Sequence, residues 1–203
     1  MNFKTSLALL LALTLPALVS SAELTGKVTA ADGGRGLAGA IVYVVSGLPG
    51  TVAASPREKA KLTVRGGRLD QQMFVVQVGE SFTLSNADTD NYNVHVLFRE
   101  NKERNVALIR GGETSIETAR PELFARVSED LGRLHGYVCV LEHRSYAITD
   151  ATGAFKFPEL PAGTYTIEAA HPREGRFKRE VTVGDRGAPA DFALPGRPKA
   201  KTP

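Results

Sequence analysis

Apolar residues recur at every second position through most of this chain, and almost nowhere with the three-to-four spacing of an amphipathic helix. Leu24 to Val28 and Ala40 to Val45 are short alternating or apolar runs, separated by the turn signal Asp32-Gly33-Gly34. Further strands are expected at 74–78, 81–86, 94–98, 113–118, 124–128 and 136–141. A second series follows at 146–149, 154–157, 163–170 and 177–183. Only Pro121 to Phe124 and Asp130 to Leu134 offer a place for a helical turn. Short strands at regular spacing, punctuated by Gly and Pro, predict an all-β chain built as two packed β-sandwiches. The stretch from Gly184 to Pro203 is rich in Pro, Gly and Lys with one apolar island, Phe192-Ala193-Leu194. It reads as a flexible tail over 186–203 that carries at most one more edge strand.

The N-terminal end changes the picture from fold to destination. Lys4 gives a positive start, Leu7 to Leu18 is an apolar run broken only by Thr14 and Pro16, and Ser20-Ser21-Ala22 supplies small residues. That pattern predicts a signal peptide over 1–22, cleaved after Ala22, and a periplasmic or secreted protein. The run is shorter than the roughly 20 residues a membrane span needs, so no transmembrane segment is expected in the mature protein. The whole chain has 25 basic and 22 acidic residues, and removing 1–22 takes away one base, Lys4, and no acid. Near-balanced charge gives no case for nucleic acid, which asks for a clustered basic face.

Candidate chemistry is sparse. The four histidines are His95, His135, His143 and His171, and none lies at a short ligand spacing such as H-x-H or H-E-x-x-H. The single cysteine, Cys139, excludes an intramolecular disulfide and sits in an apolar alternation that predicts a buried, inert thiol. No nucleophile elbow of the G-x-S-x-G kind appears, so no catalytic residue is proposed and the protein is expected not to be an enzyme. Carboxylates at Glu80, Asp88, Asp90, Glu100, Glu129 and Asp130 are scattered along a β surface, where solvation is the ordinary role. The run Arg99-Glu100-Asn101-Lys102-Glu103-Arg104 reads as a solvated hairpin tip.

Two stretches carry a resemblance: FVVQVGESFTLSNADTDNYNVHV from Phe74 to Val96, and PELFARVSEDLGRLHGYVCV from Pro121 to Val140. They resemble the plastocyanin-like cupredoxin modules of bacterial exported proteins, which implies a Greek-key sandwich over 49–140. In that family the first stretch ends in N-x-D, a short gap and His-Asn-Val; the second carries Cys-Asp-Val-His-Pro-Trp-Met before Gly-Tyr-Val. Here Asn86, Asp88, Asn93 and Val94 match, while the resemblance places the four copper ligands on Tyr92, Ser128, Leu131 and Leu134. A blue copper site needs a thiolate, two imidazoles and a weak axial thioether, and these four residues supply none of them. The resemblance therefore implies a degenerate, copper-less frame with no cofactor and no metal site. A one-residue shift would instead make His95, His135 and Cys139 displaced ligands, but strand parity turns His95 to the face opposite Tyr92.

If the old site is closed, Leu131 and Leu134 are expected to form an apolar plug, with Ser128 and Tyr92 hydrogen-bonded beside it; the alternative is that the leucines form an exposed docking patch. Tyr92, His95 and His135 remain candidate binding residues. Tyr92 is the tyrosine at a loop–strand edge where a ligand would meet it.

A second motif set lies in YAITDATGAFKFPELPAGTYTIEAAH, Tyr146 to His171. It resembles the carboxypeptidase regulatory-like domain, related to starch-binding sandwiches, through Thr149, Asp150, Gly153, Phe155, Leu160, Pro161, Gly163 and Tyr165, and implies that fold over 141–185. The family's opening, G-x-V and then Gly-Ala-x-Val, stands far upstream as Gly26-Lys27-Val28 and Gly39-Ala40-Ile41-Val42. Either the cupredoxin-like part is inserted into the regulatory-like sandwich, or the N-terminal strands, 23–48, belong to the cupredoxin-like sheet. The function expected is that of a structural or protein-interaction module acting on an envelope protein or glycan. The alternatives are a carbohydrate-binding module and a metal carrier using displaced histidines.

Overall fold

The computed structural model of the protein describes residues 21–31, 34–49, 60–157 and 160–196. The signal-peptide reading of 1–22 therefore falls almost wholly outside the described residues, as do 197–203. The first leg of the chain carries β1 (Ser21–Ala22), β2 (Leu24–Thr29) and β3 (Ile41–Ser46). The second carries β4 (Ala60–Arg65), β5 (Arg68–Leu69), β6 (Met73–Gln77), β7 (Ser81–Asn86), β8 (Tyr92–Leu97), β9 (Arg104–Leu108), β10 (Glu113–Glu117), β11 (Glu122–Glu129) and β12 (Gly136–Leu141). The third carries β13 (Tyr146–Ile148), β14 (Ala154–Lys156), β15 (Leu160–Pro161), β16 (Gly163–His171), β17 (Gly175–Val183), β18 (Ala188–Pro189) and β19 (Phe192–Ala193). All regular structure among the described residues is strand, and neither candidate helical turn forms.

The strands build two sandwiches. One uses the second leg alone: a sheet in the order β10-β7-β4-β5 faces a sheet in the order β6-β12-β11-β8-β9. Its core is the inward set of the alternation, with Phe82, Leu84, Val94, Ile116, Val127 and Val138 fully enclosed. The other joins the two ends of the chain: β13-β3-β16-β17 faces β14-β2-β18, with β19 also on β2. Tyr43 pairs with Tyr146 and Val42 with Ala169, so the N-terminal strands belong to the sandwich of the third leg. The second leg is therefore an insertion between β3 and β13.

The motif residues of the third leg hold its turns. The Thr149 hydroxyl donates to Leu37 O at 2.5 Å and accepts from Ala40 N at 2.9 Å, tying the two distant halves together. The Asp150 carboxylate accepts from Thr152 N, Thr152 Oγ1 and Ala154 N at 2.8, 2.7 and 3.0 Å, and Gly153 turns at φ 83°. A Cβ on Gly153 would stand 2.5 Å from Val28 O, so that turn requires glycine twice over. The Tyr165 hydroxyl donates to Pro161 O at 2.7 Å and closes the second turn.

Strands β4 and β9 were not expected: β4 turns only the small Ala60 with Leu62 and Val64 inward, and β9 only Val106 with Leu108, among charged or polar neighbours. The supposed tail is structural as far as Leu194. β18 and β19 lie parallel to β2, and Ala190, Phe192 and Leu194 are 0–1% exposed. The reason is that β2 has an open side. A Cβ on Gly26 would come 2.0 Å from Ala190 O, so the absent side chain lets the segment lie directly on the strand. Phe192 packs at 6.1 Å from Phe155, under the Arg179 guanidinium at 5.1 Å. Phe192→Ala is expected to cost about 3–5 kcal/mol in chemical denaturation, the loss for an enclosed aromatic. A loss below about 0.5 kcal/mol would return the segment to the status of a tail.

Candidate functional site

The residues to which the resemblance assigns the copper ligands do not converge. Tyr92 and Leu134 are 4% and 0% exposed within the core of the inserted sandwich, whereas Leu131 is 74% exposed. Ser128 stands opposite His95 across the β11–β8 pair, on the face away from the core. The side chain that enters at the end of β11 is the next one, Glu129, which is 6% exposed. The two-leucine plug is thus half right, since Leu134 fills the core and Leu131 faces solvent. Ser128 and Tyr92 lie on opposite faces and do not bond.

A polar network fills this end instead. The Tyr92 hydroxyl donates to Asp88 Oδ2 at 2.8 Å, and Asp88 also accepts the backbone N–H groups of Gly66 and Gly67 at 2.6 and 2.8 Å. These bonds, from Gly67, Tyr92 and Gly66, hold the Asp88 carboxyl below its ordinary range, while burial and the Asp88 bond push the Tyr92 phenol up. The Arg133 guanidinium lies 4.9 Å over the Tyr92 ring. Glu129 accepts from Leu131 N at 2.8 Å and Arg133 N at 2.6 Å, pinning the turn after β11. Burial pulls the Glu129 carboxyl up, but these two N–H groups and Arg133 outweigh it and leave it low. Asn86 spans the same corner: its amide donates to Asp90 O and Leu108 O at 2.7 and 3.1 Å, and its Oδ1 accepts Asp88 N at 2.9 Å. Asn86, Asp88 and Glu129, read from sequence as framework matches or solvated acids, are the groups that satisfy this corner's backbone.

The candidate binding residues separate in space. Tyr92 is enclosed, so it offers no ring to a ligand. His95 is half-buried on the outer face, with Nε2 at 2.6 Å from Asp130 Oδ1, and Asn93 Nδ2 reaches Asp130 Oδ2 at 2.9 Å. His135 is exposed. Cys139 is fully buried between the sandwiches, its Sγ 3.5 Å from Met73 Sδ, and burial pushes the thiol up to about 12. His143 and His171 are both held below the ordinary imidazole range, chiefly by burial. Among the described residues no three His, Cys, Asp or Glu side chains gather as a metal site. The donor set at the sandwich end does not fit copper either: a phenol, a carboxylate committed to two N–H groups and a guanidinium offer no thiolate or imidazole.

A second feature was not legible in the sequence: the seam where the outer face of the five-stranded sheet meets the outer face of β3 and β16. Ile41, Met73, Cys139, Leu141 and Ala170 form its apolar floor. β11 carries a bulge between Glu122 and Ala125, and Phe124 within it has φ 62°, the only non-glycine positive φ among the described residues. The extra residue lets two consecutive side chains, Leu123 and Phe124, pack into the seam, and Phe124 meets Tyr137 edge-on at 5.9 Å. The buried Glu122 carboxylate accepts Arg99 N, Glu100 N and Asn101 N at 2.6, 3.0 and 3.3 Å, fixing the 99–101 loop at the seam's mouth. Two adjoining cavities of about 540 and 810 Å³ open there, sharing Arg99, Leu123 and Arg176 as lining.

No known protein family matches the chain. No curated protein matches it either. Among solved structures it is similar to amicyanin: an oxidised mutant form at 14% identity and TM-score 0.37, covering 49% of this chain and 97% of amicyanin. Amicyanin from Paracoccus versutus gives 13% identity and TM-score 0.37, over 49% of this chain and 96% of that one. A likeness this weak carries no argument about function, and the β-sandwich description rests on strand order and packing alone.

Two measurements test the closed end. Leu134→Ala is expected to cost about 2–5 kcal/mol and Leu131→Ala to stay within about 0.5 kcal/mol of the parent, both by chemical denaturation. Equal losses at both positions would contradict the geometry. Tyr92→Phe should cost about 0.5–1.5 kcal/mol near neutral pH. Because the folded Asp88 carboxyl is depressed, its stabilisation is present above the unfolded value of 3.8 and is lost as pH falls through the folded value. The gap between Tyr92→Phe and parent should therefore shrink on acidification; a gap independent of pH would overturn the Tyr92–Asp88 bond.

Proposed function

We propose that the protein is a non-catalytic, exported β-sandwich module in which a cupredoxin-type frame, closed without copper, is inserted into a regulatory-like sandwich and serves structure or protein interaction. The observation that carries this reading is the Arg133 guanidinium over Tyr92 at 4.9 Å, at the end of the sandwich where the sequence resemblance puts copper. A fixed cation there opposes a metal ion, and the surrounding hydrogen bonds are complete without one. The insertion order of the strands and the roles of Thr149, Asp150, Gly153 and Tyr165 support the regulatory-like part. Export rests on the pattern of residues 1–22. The alternatives draw less support, since Tyr92 is no stacking platform and His95, His135 and Cys139 point to three different surroundings.

Titration of the purified protein with Cu(II) and with Cu(I), followed by visible spectroscopy, tests the copper-less reading. The expected result is the absence of an intense thiolate-to-copper band. Appearance of such a band, and its loss in Cys139→Ala, would overturn the proposal.

A further inference from the structure

We infer that the cleft at the seam is a binding site for an anionic ligand, one that carries a carboxylate or phosphate on a flat or ring-shaped body. This goes beyond the copper-less reading and does not depend on it. The larger cavity, about 810 Å³, is lined by three arginines, Arg99, Arg126 and Arg176, against one acid, Glu103. Its size falls within the range of small-molecule sites, which favour the junctions between domains. Arg176 is partly answered from behind, with one guanidinium nitrogen 3.8 Å from Glu168 Oε1, an oxygen that is buried and has no hydrogen-bond partner. The side chains of Arg99 and Arg126 have no acidic partner among the described residues. Two unanswered guanidiniums beside one cavity fit planar oxyanions, which they bind through paired N–H donors.

The wall beneath supplies the second half of the recognition. Leu123, Phe124 and Tyr137 line the same cavity. Phe124 reaches it only because the β11 bulge holds its backbone at φ 62°. A non-glycine residue in the left-handed region carries a conformational cost, and such residues cluster where function fixes a side chain. The three N–H groups captured by Glu122 set the loop that carries Arg99 on the opposite lip. Charge on the lip and aromatic surface on the wall select an anion with a ring attached, over either a bare ion or a neutral sugar.

Calorimetric titration of the purified protein with trigalacturonate, glucose 6-phosphate and maltotriose tests this. The expected result is one-to-one binding of at least one acidic probe and none of maltotriose; which acidic probe binds tells carboxylate from phosphate. Arg99→Ala and Arg126→Ala should each weaken binding about tenfold, the factor for one charge-assisted hydrogen bond. Arg99→Lys should recover only part of it, because the charge returns without the fork. Arg110→Ala, outside the cleft, should bind as the parent does, and all variants should keep the parent's circular dichroism and melting temperature. The inference is overturned if neither acidic probe binds, if maltotriose binds equally well, or if Arg110→Ala weakens binding as much as the cleft variants.

Discussion

Everything in this fold depends on β3 pairing with strands that lie about a hundred residues further along the chain. Tyr43 sits opposite Tyr146, so the chain leaves the outer sandwich at the end of β3 and comes back on the strand beside it. Closing a loop of about 100 residues costs about 4 kcal/mol if that loop is flexible. A folded insertion whose ends lie together removes much of that cost, which makes the inserted sandwich part of the outer one's stability. The Thr149 hydroxyl, bonded to both Leu37 O and Ala40 N, stitches the same junction from inside.

The end of the inserted sandwich is held by a network of side-chain hydrogen bonds. Metal-ligand loops are ordered by coordination. Here the turn from Asp130 to His135 is ordered by one buried carboxylate, Glu129, that takes two backbone N–H groups and a guanidinium. These part-buried bonds fix the turn, each hydrogen bond to a charged group contributing about 1.5–3 kcal/mol at most. On the opposite lip Asp88 holds the N–H groups of Gly66 and Gly67. Tyr92 and Arg133 join the two lips by a hydrogen bond on one side and a cation over a ring on the other.

Alternation with period two made most strands legible, since one side of each faces a core. It failed where the inward set shrinks to two large residues, as in β4 and β9, and where the sequence looks like linker, as in Ala188 to Leu194. In the latter case the decisive fact is the bare flank of Gly26, which no local pattern reveals. At the candidate site, the resemblance gave positions but not faces. Ser128 and Glu129 are neighbours in sequence, yet only the second enters the core, and its carboxyl was read as solvation. The seam was invisible for a related reason. Leu123 and Phe124 share a face only because of a bulge, and period-two reading places them on opposite sides.

That bulge links stability to the seam's chemistry. A regular β11 would send either Leu123 or Phe124 into the inserted core, where Ala125 and Val127 already fill the space. The extra residue takes both outward, and the gain is an apolar joint continuous with Ile41, Leu141 and Ala170 on the facing surfaces. Leu123 and Phe124 are partly buried there, so each recovers a fraction of the roughly 1.5–3 kcal/mol of full burial, set against the roughly 1–3 kcal/mol of a left-handed phenylalanine. The same residues then stand as a wall beside Arg99 and Arg126, whose guanidiniums form no ion pair among the described residues although Glu103 lines the same cavity. The contact that holds the sandwiches together therefore also leaves charge at its mouth.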